Sequence, residues 1–292
     1  MNSSVIKGGF CLFEFDNSYS YYVNKTLNIL LTDHTTNNNI LLLSNSYPGV
    51  SFNSQITNDI LNTIKLCPRY LKSKSIKKER KKNKAEVFTP TWLCNHMINL
   101  YDEMWFDKKD VFNIGNDDSK SWGKTDRVIF PNEKNITWKD YIDLVCLEMT
   151  CGEAPFLTSR YDTVCGETIA LETRIGILDR KLRVVNENIT GYNEWLKWAK
   201  KSFQNVYGYE YQGDNLLIAR INLLLTFIEY YFDRFGENPS LSLVKDIAKI
   251  ISYNVIQMDG LTYKIPTTEM YAKIKDWKNN SLLYFKDIGE EK

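Results

Sequence analysis

YIDLVCLEMTCGEAPFLTSRYD (141–162) is the stretch of sequence that decides the fold. Its apolar first part, 141–149, is typical of a buried β-strand and has an acid, Glu148, near its end. The small residues that follow form a turn where backbone N–H groups are exposed and a ligand can approach the chain closely. Gly152 is followed by Ala154 and not by a second glycine, so the turn lacks the GxGxxG pattern. A nicotinamide or nucleoside triphosphate site is therefore disfavoured.

The sequence after this turn alternates between helical and strand-like patterns. A charged segment (166–189) leads into a helix with Trp195 and Trp198, and NVYGYEY (205–211) is a second strand that ends near Glu210. DNLLIARINLLLTFIEYYFDRF (214–235) is a long apolar helix, and 246–257 is a helix end or a strand. This alternation predicts an α/β fold, a Rossmann-like doubly wound parallel sheet, within a domain at 87–292. Glu210 is placed to bind the two hydroxyls of a ribose, so an adenosine-containing ligand without phosphates suits both strand ends.

The sequence before this domain has a different pattern. Residues 1–70 alternate short apolar or aromatic runs, among them 10–15, 19–23 and 39–44, with polar turns, which predicts a small, mainly β region. From Thr91 the spacing predicts a helix to Phe106, with Met97, Leu100 and Met104 on one face. Residues 107–138 are polar and predicted to be a loop.

Composition excludes several classes of protein. Of the 292 residues, 43% are hydrophobic and 25% are charged, as in a globular protein with a sizeable core. No uncharged apolar run approaches the roughly 18–20 residues of a bilayer span, and the N-terminus lacks the pattern of a secretory signal. The six cysteines form no CxxC pair and there are only two histidines, so no metal site is predicted. We expect a cytoplasmic protein with free thiols and no membrane partner.

A basic block dominates the charge distribution. The net charge is +1, but KSKSIKKERKKNK (72–84) has eight basic residues and one acid. Within an arm or linker at 71–86, such a block is either a solvated flexible segment or a nucleic-acid contact, and the sequence alone leaves both open. It has no aromatic residue, so a nucleic-acid role would be phosphate contact by Lys77, Lys78, Lys81 and Lys82.

Three segments, in order, resemble one enzyme family. EVFTP (86–90), LEMTCGEAPFL (147–157) and YGYEYQGDNLLIARINLLL (207–225) are similar to motifs of S-adenosylmethionine-dependent DNA methyltransferases, most closely the N6-adenine enzymes of bacterial restriction–modification systems. The resemblance covers about 86–257 and implies S-adenosylmethionine as cofactor and double-stranded DNA as substrate. It also implies that the cofactor contacts Phe88, Thr89, Pro90, Glu148, Thr150, Cys151, Gly152, Ala154, Phe156, Glu210 and Tyr211.

The sequence differs from that family most clearly at the catalytic motif. Its members have an Asn/Asp-Pro-Pro-Tyr/Phe turn that accepts hydrogen bonds from the adenine amino group and stacks on the flipped base. This tetrapeptide does not occur here, and the nearest positional match is Asn254 to Gln257, with Tyr253 beside it. We expect Asn254 to be the hydrogen-bond acceptor, Tyr253 a stacking face and Gln257 a support. The alternative is a strand end with an amide-capped turn.

Two functions of different classes follow. The first is an S-adenosylmethionine-dependent methyltransferase acting on DNA, at adenine N6, which needs no metal. The second is a catalytically silent relative that binds DNA or a partner as a regulatory, specificity or anti-restriction subunit. An RNA or protein methyltransferase would share the fold. Sequence specificity would come from 1–70, the basic arm, the 107–138 loop, or a separate specificity or restriction subunit.

Overall fold

The computed structural model describes residues 17–64, 66–116, 118–131 and 136–288. In chain order the helices are α1 (Asn17–Leu31), α2 (Asn58–Thr63), α3 (Lys74–Lys84), α4 (Thr91–Phe106), α5 (Trp138–Asp143), α6 (Ile177–Asn188), α7 (Tyr192–Gln204), α8 (Gly213–Phe235) and α9 (Leu241–Asn254). The strands are β1 (Leu41–Leu42), β2 (Ser54–Gln55), β3 (Asn113–Asn116), β4 (Ser121–Lys124), β5 (Cys146–Glu148), β6 (Val206–Glu210), β7 (Val255–Gln257), β8 (Lys273–Asp276) and β9 (Ser281–Tyr284).

The central sheet has the spatial order β5-β6-β7 and all its strands are parallel. Helices α6 and α7 connect β5 to β6, and α8 and α9 connect β6 to β7. The register pairs Glu148 with Gly208 and Glu210 with Gln257, so the carboxyl ends of the strands meet at one edge. The prediction of a mixed α/β fold is confirmed. The carboxyl ends of the parallel strands thus bring Glu148 and Glu210 to the same edge of the sheet.

Helix α8 forms the centre of the hydrophobic core. Eighteen of its 23 residues are buried, and they include leucine, isoleucine and phenylalanine side chains that belong to the main core cluster. Among the described residues, it is the one helix long and apolar enough to cross a bilayer, but 89% of its apolar window is buried within the fold. A helix that is hydrophobic all round and covered on all sides is typical of a protein core. Its buried first turn, from Gly213, directly follows the end of β6.

The prediction of a mainly β region at 1–70 is wrong for the part that is described. Residues 19–23 lie in α1, which packs against α8 and α9 and buries Tyr22, Val23, Leu27 and Leu30 at helical spacing. In the described part of this region, strand pairing includes the two-residue strands β1 and β2 and an isolated bridge between Thr32 and Asn39. The predicted strand at 10–15 lies outside the described residues.

The predictions for the basic arm and the 107–138 loop also need correction. The block at 72–84 is not a flexible linker, because α3 spans most of it and begins with a Ser73 cap bonded to the N–H of Ile76. The polar segment 107–138 contains the β3–β4 hairpin, so it is not a simple loop. Helix α4 runs from Thr91 to Phe106 as predicted.

Candidate functional site

Glu210, the last residue of β6, occupies the centre of the carboxyl edge of the sheet. Its Oε2 accepts a hydrogen bond of 2.9 Å from the N–H of Gly152, and its Oε1 accepts one of 2.9 Å from the N–H of Gln212. The side chain is only 7% exposed. A carboxylate has about four acceptor positions, so one remains on each oxygen of Glu210. That pair matches the two adjacent hydroxyls of a ribose.

Glu148, at the end of β5, holds the loop that follows it. Its two oxygens accept hydrogen bonds from the N–H groups of Phe156 (3.3 Å) and Leu157 (3.2 Å). Burial raises the pKa of Glu148 well above its usual value, the two backbone bonds lower it, and the charge of Glu210 raises it further. The ionisation of Glu148 and that of Glu210 are therefore coupled, and the two side chains form an acidic edge.

The loop between the two acids has an unusual backbone. Thr150, Gly152 and Ala154 have φ values of 48°, 56° and 63°, in the left-handed region. The N–H of Cys151 donates to the carbonyl of Tyr209 at 2.8 Å and fixes the loop against β6. Glycine adopts this conformation without strain, whereas the Cβ atoms of Thr150 and Ala154 make it costly at those two positions.

The segment at 86–90 lies against the same loop. A Cβ atom on Gly152 would lie 3.1 Å from the Phe88 ring, so the ring lies directly on the glycine. The guanidinium of Arg69 lies 5.2 Å from the centre of the same ring. The carbonyl of Thr89 accepts from the Thr163 hydroxyl, and Pro90 caps the first turn of α4. Three segments far apart in sequence are therefore brought together at one edge.

The chemistry of this edge favours ligands that donate hydrogen bonds. Burial raises the pKa of Glu210 to about 7, the hydrogen bonds from Gln212 and Gly152 oppose this rise, and the nearby acids Asp214 and Glu86 add to it. Two buried acceptors in the neighbouring segments, Oε1 of Gln212 and Oε1 of Glu86, have no hydrogen-bond partner among the described residues. Buried acceptors without partners are costly unless a ligand or water satisfies them.

Other predicted cofactor residues have structural contacts as well. The hydroxyl of Thr150 is exposed and bonds to the carbonyl of Met149. Burial raises the pKa of the Cys151 thiol well above its usual value, so the thiol is unreactive and packs beneath the loop. Phe156 packs half-buried against the Cys94 and Ile98 cluster. The carbonyl of Tyr211 accepts a hydrogen bond from the Gln257 amide.

The structure does not place Asn254, the predicted hydrogen-bond acceptor, at the carboxyl edge of the sheet. Asn254 ends α9 and precedes β7, so it lies at the amino end of the strand, away from the edge that holds Glu210. Its Nδ2 lies within hydrogen-bond distance of three backbone carbonyls, and its Oδ1 accepts from Trp277 Nε1 at 2.7 Å. The three carbonyls belong to Phe203, Gln204 and Val206. Asn254 is buried at the amino end of β7 with both groups of its amide engaged, so it is not positioned to hydrogen-bond a substrate at the carboxyl edge.

The two residues predicted to assist Asn254 have other roles. The ring of Tyr253 stacks on His34 at a centroid distance of 3.5 Å, so this face is covered. Gln257 does lie at the carboxyl edge, but its amide bonds to both backbone groups of Leu41 and to the carbonyl of Tyr211. It fastens β1 to the sheet. The structure therefore places Asn254 and Tyr253 away from the carboxyl edge, whereas Gln257 lies at that edge in a structural role.

The basic helix α3 is attached to the same edge by a buried ion network that the sequence did not reveal. Arg80 donates two hydrogen bonds to Asp214, of 2.7 and 3.0 Å, and a third to Glu86. The ammonium of Lys72 and the hydroxyl of Tyr47 also bond to Asp214. Burial acts to raise the pKa of Asp214, but these cations hold it well below its usual range. The only sign of this network in the sequence was an acid, Asp214, at the start of the apolar helix α8.

The predicted phosphate-binding lysines divide into two groups. Lys78, Lys81 and Lys82 are exposed on α3. Lys77 is half-buried, and its ammonium donates to the carbonyl of Tyr70 at 2.7 Å, so it has a structural role. The exposed members are available to contact phosphates.

Comparison with known proteins identifies no relative. No protein-family profile matches the chain, and no curated protein or solved structure matches it either. Within 17–64, 66–116, 118–131 and 136–288, no cluster of three or more histidine, cysteine or acidic residues could hold a metal ion.

Proposed function

We propose that this chain binds S-adenosylmethionine at the carboxyl edge of β5 and β6 and belongs to a DNA methyltransferase system that acts on adenine N6, of the restriction–modification type. The observation that supports this most is the geometry of Glu210. Each of its buried oxygens uses one acceptor position on a backbone N–H and keeps one for a ligand. A carboxylate at the end of the second strand, beside a loop with left-handed backbone, is suited to a ribose.

The charge of the edge favours this cofactor over phosphorylated nucleotides. Phosphate oxygens are acceptors and carry negative charge, so they cannot donate to Glu210 and would be repelled by its ionised form. S-adenosylmethionine offers the opposite chemistry, since its ribose hydroxyls, adenine amino group and ammonium donate hydrogen bonds and its sulfonium is a cation. Unpartnered acceptors on Gln212 and Glu86 fit the same class of ligand. When bound, the cofactor supplies an activated methyl group, and the residues described here bind and orient it.

The basic helix supports DNA as the second ligand. Lys78, Lys81 and Lys82 present positive charge on the outer face of α3, and Arg80 on its inner face bonds to Asp214 at the start of α8. Asp214 is only four residues after Glu210. A duplex held by α3 would therefore lie on an element fastened directly beside the cofactor edge.

Calorimetry with S-adenosylmethionine tests the cofactor proposal. Glu210→Ala removes a pair of charge-assisted hydrogen bonds, each worth roughly 1.5–3 kcal/mol, so the affinity should fall by at least about tenfold. Glu172→Ala is the control, because Glu172 is an exposed acid in a short turn. Equal affinities of wild type and Glu210→Ala would reject the ribose assignment. Transfer of labelled methyl groups to duplex DNA, RNA and protein then identifies the substrate.

A second function, a partner-binding subunit without its own activity, is favoured by one surface. Met97, Leu100 and Met104 lie exposed on α4, and Val145, Leu147 and Met149 lie exposed along β5. Tyr101 contacts Cys146 and joins the two rows, and β5 is an edge of the parallel sheet. Apolar surface at an open strand edge is typical of a protein interface. A wild-type chain that binds the cofactor but methylates no substrate would favour this function.

A further inference from the structure

A cleft of about 490 Å³ lies between the start of α4, the β3–β4 hairpin and the loop at 162–173. Trp92 and Trp122 contribute indole rings to its walls, and Lys120, Asp162 and Thr173 also line it. It is separate from the Glu210 edge, although Pro90 borders it and continues the 86–90 segment. The volume is in the range of small-ligand sites.

The walls of the cleft are fixed by hydrogen bonds. The indole N–H of Trp122 donates to the carbonyl of Thr173 at 2.7 Å, which holds the hairpin against the loop. Within the loop, the N–H of Asp162 donates to the backbone carbonyl of Glu167 at 2.8 Å, and the N–H of Gly166 donates to the backbone carbonyl of Asp162 at 2.7 Å. A preformed cleft of this kind costs little ordering entropy when a ligand enters.

The polar groups of the cleft disfavour an anion at its inner end. Asp162 accepts hydrogen bonds from the N–H groups of Thr91, Val164 and Cys165, and so it already occupies the positive end of α4. Partial burial acts to raise the pKa of Asp162, but these bonds outweigh burial and hold it below its usual value. A ligand group that carries a phosphate would meet this charge. An uncharged planar ring would instead contact the indoles.

The exposed charged side chains that line the cleft are Lys120 and Glu167, one of each sign. The ammonium of Lys120 lies 5.4 Å from the centre of the Trp92 ring and is exposed to solvent. An aromatic ring beside a cation is the arrangement that proteins use for single-stranded nucleic acid, where the base stacks and the cation contacts the phosphate. Thus the cleft offers an indole ring with a cation directly beside it, where a base could stack on Trp92 and its phosphate could contact Lys120.

The cleft is also joined to the basic helix. The ring of Tyr70 packs on Gly166, so closely that a Cβ atom there would lie 2.3 Å from it. The carbonyl of Tyr70 accepts the hydrogen bond from Lys77 on α3. One residue therefore connects the basic helix to the back of the cleft wall.

We propose that this cleft binds an unstacked nucleobase of a nucleic-acid strand whose phosphates contact Lys120 and α3. The inference rests on the DNA binding proposed above and adds the place where a single base is held. Trp92 is the stacking face and Trp122 keeps the hairpin wall in position. The base enters as a neutral ring, and the negative backbone stays on the Lys120 side, because Asp162 and Glu167 repel phosphate from the cleft itself.

Fluorescence anisotropy with two labelled duplexes tests this site. One duplex is fully paired and the other carries a single bulged adenine. The wild type should bind the bulged duplex more tightly, and Trp92→Ala should reduce that preference by about fivefold or more, since base stacking on an aromatic ring contributes on the order of 1–3 kcal/mol. Trp92→Phe keeps a ring and should retain most of the preference.

Trp138→Ala is the matched control. Trp138 also opens a helix and has a lysine ammonium, Lys139, 5.6 Å from its ring, but it does not line the cleft. The Trp138→Ala variant should prefer the bulged duplex as strongly as the wild type does. Thermal unfolding verifies that each variant folds. A wild type without preference, or an equal loss in both alanine variants, would overturn the proposal.

A third ligand separates the two sources of a purine ring. S-adenosylhomocysteine should bind Trp92→Ala as tightly as wild type, within about a factor of two. A large loss would show that the cleft receives the adenine of the cofactor, which would also overturn the proposal. A wild type that binds S-adenosylhomocysteine normally but has no preference for the bulged duplex would reject the base site and leave the cofactor site intact.

Discussion

Cofactor affinity should depend on pH through Glu210. Because burial raises the pKa of this carboxyl to about 7, roughly a tenth of it is ionised at pH 6 and roughly nine tenths at pH 8. The ribose hydroxyls donate to the ionised form, so S-adenosylmethionine should bind about tenfold more tightly at pH 8 than at pH 6. The affinity should level off above pH 8, where Glu210 is fully ionised.

Calorimetry at constant ionic strength and pH 6, 7 and 8 measures this dependence. At pH 6 binding should release nearly one proton from Glu210, which appears as a difference in heat between two buffers of unequal ionisation enthalpy. Glu210→Gln should bind weakly and show neither the slope nor that proton release. Glu153→Gln is a close control, since burial also raises the pKa of Glu153 to about 7 but its carboxylate bonds to Tyr161 and Arg69. A wild-type slope that persists in Glu210→Gln would refute the assignment.

Three further predictions concern the DNA surface, the loop and the corrected asparagine. Neutralising the exposed lysines of α3 should lower the slope of log affinity against log salt by up to about 0.9 per lost phosphate contact. The control Lys77→Gln should leave the slope unchanged, and filter binding at several salt concentrations measures both variants. Gly152→Ala should lower the free energy of unfolding by about 1–2 kcal/mol in urea titrations, because the residue has a φ of 56° and the Phe88 ring is 3.1 Å from the added Cβ. Asn254→Ala should destabilise the fold by roughly 1–3 kcal/mol through its lost buried hydrogen bonds but leave cofactor affinity within about a factor of three; a methyl-transfer defect without loss of stability would restore its catalytic role.

The parts of the fold that the sequence predicts are those with strong local patterns. β6 is a short run with an acid at its end, and α8 has an apolar period too long for a strand, so both were found within a residue or two. The position of Glu210 at the end of β6 was predicted for the same reason, since it depends only on where one strand ends. These features are fixed by the local chain and require no distant partner.

The features that the sequence did not predict depend on distant contacts. The basic block has the composition of a solvated segment, but Arg80 bonds to Asp214, 134 residues away, and this bond fixes the helix in place. In 19–23, aromatic and β-branched residues favour a strand locally, whereas packing against α8 and α9 makes the segment helical. Asn254 lies where α9 passes into β7, and the sequence alone does not show which end of a short strand an asparagine occupies.

The central claim, that Glu210 binds the ribose of an adenosyl cofactor, is tested most directly by a crystal structure of the chain with S-adenosylhomocysteine. The distances from the two carboxylate oxygens of Glu210 to the ribose hydroxyls are the deciding measurement. Both should fall within about 2.5–3.0 Å, with the backbone bonds from Gly152 and Gln212 retained. A ligand bound elsewhere, or one whose ribose lies beyond hydrogen-bond distance of Glu210, would contradict the proposed site.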